Sequence, residues 1–162
     1  MGFNSAGPVA FSGGPSNVTS ALNLGRDPEV GQRAWFDGRE YVFVYNDGGE
    51  QIDPGFGAVL QSGVSGYSVT VSAVTSADLV VGVCRNATLT TGTYGWLVSR
   101  GITPVEMNAS SGTVAAGDLL EVGANGDFQK VSNTTGNLAP AIGKALEAIV
   151  SSASGSAYIC CY

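Results

Sequence analysis

The last third of the chain, residues 112–162, alternates short apolar runs with turn residues. The apolar runs cover residues 114–122, 128–131, 141–149 and 157–162, and Gly, Asn and Ser separate them. The Asn125-Gly126 pair predicts a hairpin between the first two runs, because both residues tolerate a positive φ. No run requires a helix. We therefore predict a small, closed β-module here, to which an earlier β-segment and an N-terminal arm are attached.

A second hairpin is predicted over residues 32–45, with a two-residue turn at Asp37-Gly38. Its second strand places three aromatic side chains on one face and two valines on the other: Tyr41, Phe43 and Tyr45 against Val42 and Val44. Because both faces are apolar, we expect this strand to be covered on both sides.

The chain between these hairpins predicts further strands over residues 67–73, 79–84 and 94–100. We expect a turn at Gly101, and then a strand over residues 102–105 at a sheet edge, because Pro104 cannot donate to a ladder. Gly82 and Gly143 lie inside apolar strands, where glycine marks a bulge or a close backbone approach. Short strands at regular spacing predict an all-β fold, either a barrel or a sandwich.

Residues 1–25 contain no charged side chain and have neither helical nor strand periodicity. We interpret them as an extended arm that orders against a partner, although a disordered tail is the alternative. Spaced apolar residues are the candidate anchors of this arm: Phe3, Val9, Phe11, Val18 and Leu22. Residues 26–162 then form the β-domain, which could divide into a hairpin segment at 26–78 and the β-module at 79–162.

Charge narrows the possible partners. Only 12% of the residues are charged, against about 25% in a typical soluble domain, which favours a surface covered by neighbours in an assembly. A secreted or surface β-protein with a Ser, Thr and Asn face is the alternative. The net charge is −6 and the seven cations are scattered, so we expect no direct binding of nucleic acid and no membrane partner.

No catalytic set is recognisable in the sequence. The chain contains no histidine, which excludes a Ser-His-Asp triad and leaves no metal or cofactor motif. We expect the three cysteines to be reduced and to pack as small apolar residues, with a disulfide from Cys84 to Cys160 or Cys161 as the alternative. Carboxylates such as Asp118 and Glu121 are better explained as turn and surface groups. We therefore predict that the protein is not an enzyme; an enzyme would need a carboxylate pair or an exposed, low-pKa Cys84.

The order of several segments resembles the head decoration, or cement, proteins of tailed bacteriophages. The resemblance covers about residues 26–162 and rests on five segments: residues 36–42 (FDGREYV), 81–83 (VGV), 94–101 (YGWLVSRG), 116–120 (AGDLL) and 142–148 (IGKALEA).

This resemblance implies a barrel or tulip-like β-domain that assembles as a homotrimer. It also implies binding to the major capsid protein on the outer surface of the virion, after synthesis in the host cytoplasm, where the protein would cement neighbouring capsid subunits. A different class of function stays open. Trp35, Trp96 and the tyrosines could form a platform that binds host glycans, as in a tail-fibre domain or an adhesin.

Overall fold

A computed structural model describes residues 28–61, 66–71, 78–131 and 141–161, and throughout these ranges the fold is all-β, as predicted. The described residues form ten strands: β1 Arg33–Phe36, β2 Arg39–Asn46, β3 Gly57–Leu60, β4 Ser68–Thr70, β5 Val80–Cys84, β6 Tyr94–Glu106, β7 Leu119–Val122, β8 Phe128–Lys130, β9 Gly143–Ala145 and β10 Ser154–Cys160.

Five of the strands pair in a closed ring. β2 pairs with β4, β4 with β3, β3 with β5, β5 with β6, and β6 returns to β2. All of these pairs are antiparallel except β2–β4, which is parallel. Buried aliphatic side chains from every strand of the ring form one core cluster: Val42, Val44, Ala58, Val69, Val81 and Leu97.

A second ring uses the other half of β6. β6 pairs with β10, β10 with β9, β9 with β7, and β7 with β8. A bridge between Met107 and Phe128 then joins β8 to the end of β6, where the amide of Asn108 donates to the Phe128 carbonyl at 2.7 Å. Its core cluster includes Val105, Leu120, Phe128, Ala145, Ala157 and Ile159. The strands of the last third of the chain therefore form a closed ring only when β6, which precedes them in the sequence, is included.

Because β6 belongs to both rings, it runs through the position where a turn was predicted. Gly101 has φ +122 but continues the strand, so the predicted turn is wrong. A Cβ at Gly101 would lie 3.2 Å from both the Gly38 carbonyl oxygen and the Arg39 Cα. Glycine is needed there for the close approach of the β1–β2 turn.

Pro104 lies in the part of β6 that pairs with β10. The amide of Met107 donates to Ala153, and the amide of Cys161 donates to Ser99. Because backbone hydrogen bonding alternates along the strand, the backbone N–H and C=O groups of the even-numbered residues point away from β10. Pro104 is one of these residues. No strand of the described ranges pairs with that side of Pro104, which agrees with the predicted sheet-edge position.

Both predicted hairpins form, with different turns. Asp37 and Gly38 have φ values of 48° and 71°, so the β1–β2 turn has two positive-φ residues, as predicted. Between β7 and β8, only Gly126 has a positive φ, and Gly123 donates to the Asp127 carbonyl at 2.6 Å. The predicted hairpin at Asn125-Gly126 is confirmed, and its loop spans residues 123–127. The Gly126 carbonyl accepts the Gly57 amide at 2.7 Å, which fixes this loop against β3.

The side of the first ring that points away from its core carries the aromatic side chains of β2 and β6. Tyr41, Phe43 and Trp96 are buried there, and the Phe43 and Trp96 rings lie 5.1 Å apart. Since Val42 and Val44 are buried inside the ring, β2 is covered on both faces, as predicted.

Candidate interaction surface

The predicted anchors of the arm, Phe3, Val9, Phe11, Val18 and Leu22, lie outside the described residues, as does the whole 1–25 segment. The surface that the structure does describe in detail is on the second ring. It was not predicted from the sequence.

A row of exposed side chains crosses four strands of the second ring. Ile102 on β6 lies opposite Tyr158 on β10, Tyr158 lies opposite Lys144 on β9, and Lys144 lies opposite Leu119 on β7. Directly opposed residues point to the same face of a sheet. The three apolar members are 49%, 39% and 52% exposed in row order (Ile102, Tyr158, Leu119), while their strand neighbours are buried.

We call this surface the outer face and define it by the row Ile102, Tyr158, Lys144 and Leu119 together with flanking residues of the same strands. On one side of the row, Pro104 lies opposite Ser156, and the Leu146 amide donates to the Ser156 carbonyl at 2.9 Å. Pro104 and Leu146 are both exposed. Exposed apolar side chains that are contiguous across a sheet are typical of an interaction surface.

The other side of the row carries Arg100 and Cys160, which lie opposite each other on β6 and β10. The Arg100 Nε donates to the Tyr158 hydroxyl at 3.3 Å. This hydrogen bond raises the pKa of Arg100 above its ordinary value. Tyr158 is therefore flanked by two cations, Arg100 and Lys144.

The other charges near the outer face are engaged within the chain. Salt bridges join Arg33 to Glu40 at 2.5 Å, Arg39 to Asp37 at 2.7 Å and Lys130 to Asp118 at 2.9 Å. The Lys130 ammonium, followed by the Ala115 amide, lowers the pKa of Asp118. Glu106 accepts a hydrogen bond from the Ser154 hydroxyl. Among the described residues, Arg100 and Lys144 form no salt bridge.

The aromatic residues proposed as a glycan platform are divided between places: Tyr41, Tyr94 and Trp96 pack in one cluster with Phe43, while Trp35 and Tyr158 lie apart from it. Trp35 is 61% exposed near the β1–β2 turn, whereas Trp96 is 9% exposed and packs against Phe43. The Tyr45 and Tyr94 rings contact each other at 4.6 Å, and Tyr41 is buried. Tyr158 is exposed, but on the second ring. The two tryptophans thus differ in environment and share no surface.

The three cysteines are free thiols in two kinds of environment. Burial raises the pKa of Cys84 to about 11 and that of Cys161 to about 12. Cys84 therefore stays protonated at neutral pH and lacks the low pKa that a catalytic thiol requires. Cys160 is exposed on the outer face, so the expectation that all three pack as buried apolar residues is wrong for this one.

Two further features bear on chemistry. Within the described ranges, no group of three or more His, Cys, Asp or Glu side chains could hold a metal ion. Asp53 accepts a hydrogen bond from the Thr88 hydroxyl at 2.8 Å, and Asp118 accepts the Ala115 amide hydrogen bond at 2.9 Å. Glu121 is instead buried in β7, where it accepts a hydrogen bond from Gln129 at 2.7 Å, so the expectation of a turn or surface group is wrong for this residue. The described part of the chain also contains no helix that is long and apolar enough to cross a membrane.

Comparison with known proteins gives a likeness in fold to a solved structure. No protein-family model matches the sequence, and no curated protein matches it. Among solved structures, the fold is similar to the N base of the head fibre gp8.5 of bacteriophage phi29. The TM-score is 0.53 at 12% sequence identity, and the match covers 74% of this chain and 93% of that one. At this identity the likeness establishes a shared fold.

Proposed function

We propose that this protein is a structural component of a tailed-bacteriophage head, located on the outer surface of the virion. The observation that carries the proposal is the fold that it shares with the base of the phi29 head fibre, over nearly the whole of that chain. The decoration-protein resemblance of the sequence points to the same class by a separate route. It rests on segments such as residues 94–101 and 142–148.

We further propose that the protein binds the major capsid protein, assembles as a homotrimer and cements neighbouring capsid subunits. The low charge of the chain supports a surface that is largely covered by neighbours. Many copies on a lattice can add weak contacts into durable attachment, so a single tight site is not required. This role needs neither catalysis nor a cofactor, and we propose none.

Co-sedimentation with phage heads that were assembled without the protein tests this function. We expect the full chain to bind at a fixed copy number per head. A chain that begins at residue 26 should bind less well, because it lacks the apolar residues of the predicted arm. Equal unfolding curves for the two chains would show that the truncation leaves the β-domain intact. If the full chain stays in the supernatant, the proposal is wrong.

A further inference from the structure

We propose that the outer face is the surface through which the protein binds the head, and that its partner there is an acidic, partly apolar protein surface. In this contact the apolar row packs against the partner, while Arg100 and Lys144 bind partner carboxylates on either side of Tyr158. This inference rests on the proposed function, since it assigns the attachment to a particular face.

The apolar part of the argument is the alternation of exposed and buried residues along residues 101–105 of β6 and 157–160 of β10. Ile102 and Tyr158 are exposed, whereas their neighbours Thr103, Ala157 and Ile159 are fully buried in the second ring. The exposed residues are therefore not needed to fill that core. Ile102 and Leu119 in particular expose about half of their surface, and covering them against a partner would be favourable.

The electrostatic part is the presence of two cations on the outer face of an acidic chain. The protein has 13 acidic and 7 basic residues, yet Arg100 and Lys144 form no salt bridge with the described residues. The carboxylates on or beside these strands have partners within the chain: Glu40 binds Arg33, Asp118 binds Lys130, Glu106 accepts from the Ser154 hydroxyl, and Glu147 accepts from the Ser156 amide at 2.6 Å. An apolar surface that buries two cations on binding needs carboxylates from the partner, because an unpaired buried charge is costly.

The Arg100 side chain is oriented for such a contact. Its Nε donates to the Tyr158 hydroxyl, and this uses one of the five N–H donors of the guanidinium. The remaining donors include the terminal groups that bind a carboxylate in a bidentate manner. Tyr158 thus holds the Arg100 side chain beside the apolar row as well as adding contact area.

Other occupants fit less well. A two-fold symmetric contact between two copies would bring the Arg100 and Lys144 side chains of both copies to the same interface, where like charges repel. A head-to-tail contact within the proposed homotrimer would set the outer face against a different patch of a second copy, and the outer-face variants would then change the oligomeric state. A nucleic acid or an anionic membrane would need a larger basic patch than two residues on a chain of net charge −6. An acidic protein surface satisfies both the apolar row and the two cations.

The test is a binding titration of the full chain and four variants on heads assembled without the protein. Arg100→Glu and Lys144→Glu reverse the two cations, and Ile102→Glu places a charge in the apolar row. Leu79→Glu is the matched control, because Leu79 is 47% exposed against 49% for Ile102 and lies outside the four strands of the outer face. Urea unfolding checks that all four variants are folded.

We expect each outer-face variant to bind heads about 10- to 100-fold more weakly than the unmodified chain. Leu79→Glu should bind within about twofold of it, as surface substitutions away from an interface usually do. Maleimide labelling of Cys160 in the unmodified chain provides a second measurement. Labelling should be slower on heads than in solution, because the bound partner covers the outer face.

Together, the outcomes distinguish a failure of this inference from a failure of the proposed function. If the unmodified chain binds heads and the three outer-face variants bind equally well, the assignment of the face is wrong and the function stands. If the unmodified chain does not bind heads, the function fails and the inference fails with it. If the variants change the oligomeric state of the free protein in light scattering, the occupant is a second copy, and the acidic head partner is wrong.

Discussion

Substitution of Gly82 by alanine should destabilise the fold more than any glycine-to-alanine change at an open position. Gly82 lies in the middle of β5, opposite Ala58 on β3. A Cβ there would lie 2.8 Å from the Leu97 Cβ and 2.9 Å from the Val98 carbonyl oxygen. Neither atom can turn away by a side-chain rotation, because both are fixed by the backbone of β6. Relief therefore requires a shift of β6, the strand that both rings share.

Overpacking of this kind costs about 1–3 kcal/mol. For a chain of this size, that corresponds to a decrease in Tm of roughly 2–12 °C. Urea unfolding followed by tryptophan fluorescence measures the effect, since Trp96 is buried and reports on the core. Gly49→Ala is the matched control: no atom lies within 4 Å of its Cβ position, and its φ is not in the positive region. The control should be neutral or more stable by up to about 1 kcal/mol.

The result that would refute this reasoning is a Gly82→Ala protein as stable as Gly49→Ala. It would mean that β5 and β6 are further apart than the pairing of Val83 with Val98 implies.

Three further predictions concern single side chains. Cys160 should be modified rapidly by a thiol reagent in the native protein, and the two buried thiols only after unfolding, as peptide mass spectrometry would show. Asp118→Asn should reduce stability at neutral pH. Lys130 lowers the folded-state pKa of Asp118 below its ordinary value of 3.8. The stability that the ionised Asp118 contributes is therefore present above about pH 4 and is lost as the pH falls through the folded pKa. In urea unfolding at acidic pH, the difference between the variant and the unmodified protein should shrink. Asn46→Ala should lower the free energy of unfolding by about 2–4 kcal/mol in the same assay. The buried Asn46 side chain donates to two backbone carbonyls at 2.8 and 2.9 Å, and its oxygen accepts a hydrogen bond from the Gly48 amide. A loss below about 0.5 kcal/mol would contradict this role.

Local sequence signals predicted the parts of the fold that depend on local chemistry. Alternation located strands, and the Asp37-Gly38 pair predicted its turn correctly because both residues adopt positive φ. The expectation that Gly82 and Gly143 mark close approaches is also confirmed. Added Cβ atoms would lie 2.9 Å from the Val98 carbonyl oxygen and 3.0 Å from the Tyr158 carbonyl oxygen respectively.

Features fixed by distant pairing could not be predicted in this way. Gly101 suggested a turn, but the partners on both sides of β6 keep that strand continuous. Asn125-Gly126 predicted the β7–β8 hairpin, but not the contact of Gly126 with Gly57 on β3 that fixes the conformation of its loop. In both cases a residue more than 50 positions away, or another strand of the ring, decides the local conformation.

The outer face could not be predicted from the sequence for the same reason, because it depends on distant pairing. Its row joins residues from β6, β7, β9 and β10, whose registers are set only when the second ring closes. A signal was present within one strand, since Tyr158 and Cys160 alternate with the apolar Ala157 and Ile159. Without the registers, however, the alternation does not show which exposed residues are neighbours.

The most direct test of the central claim is electron cryo-microscopy of heads assembled without the protein and then incubated with it. The account predicts added density at regular lattice positions on the outside of the shell. The density should fit the two-ring domain, with Ile102 and Tyr158 directed towards the shell. Heads without added density, at protein concentrations that should saturate a decorated lattice, would contradict a head-surface role for this protein.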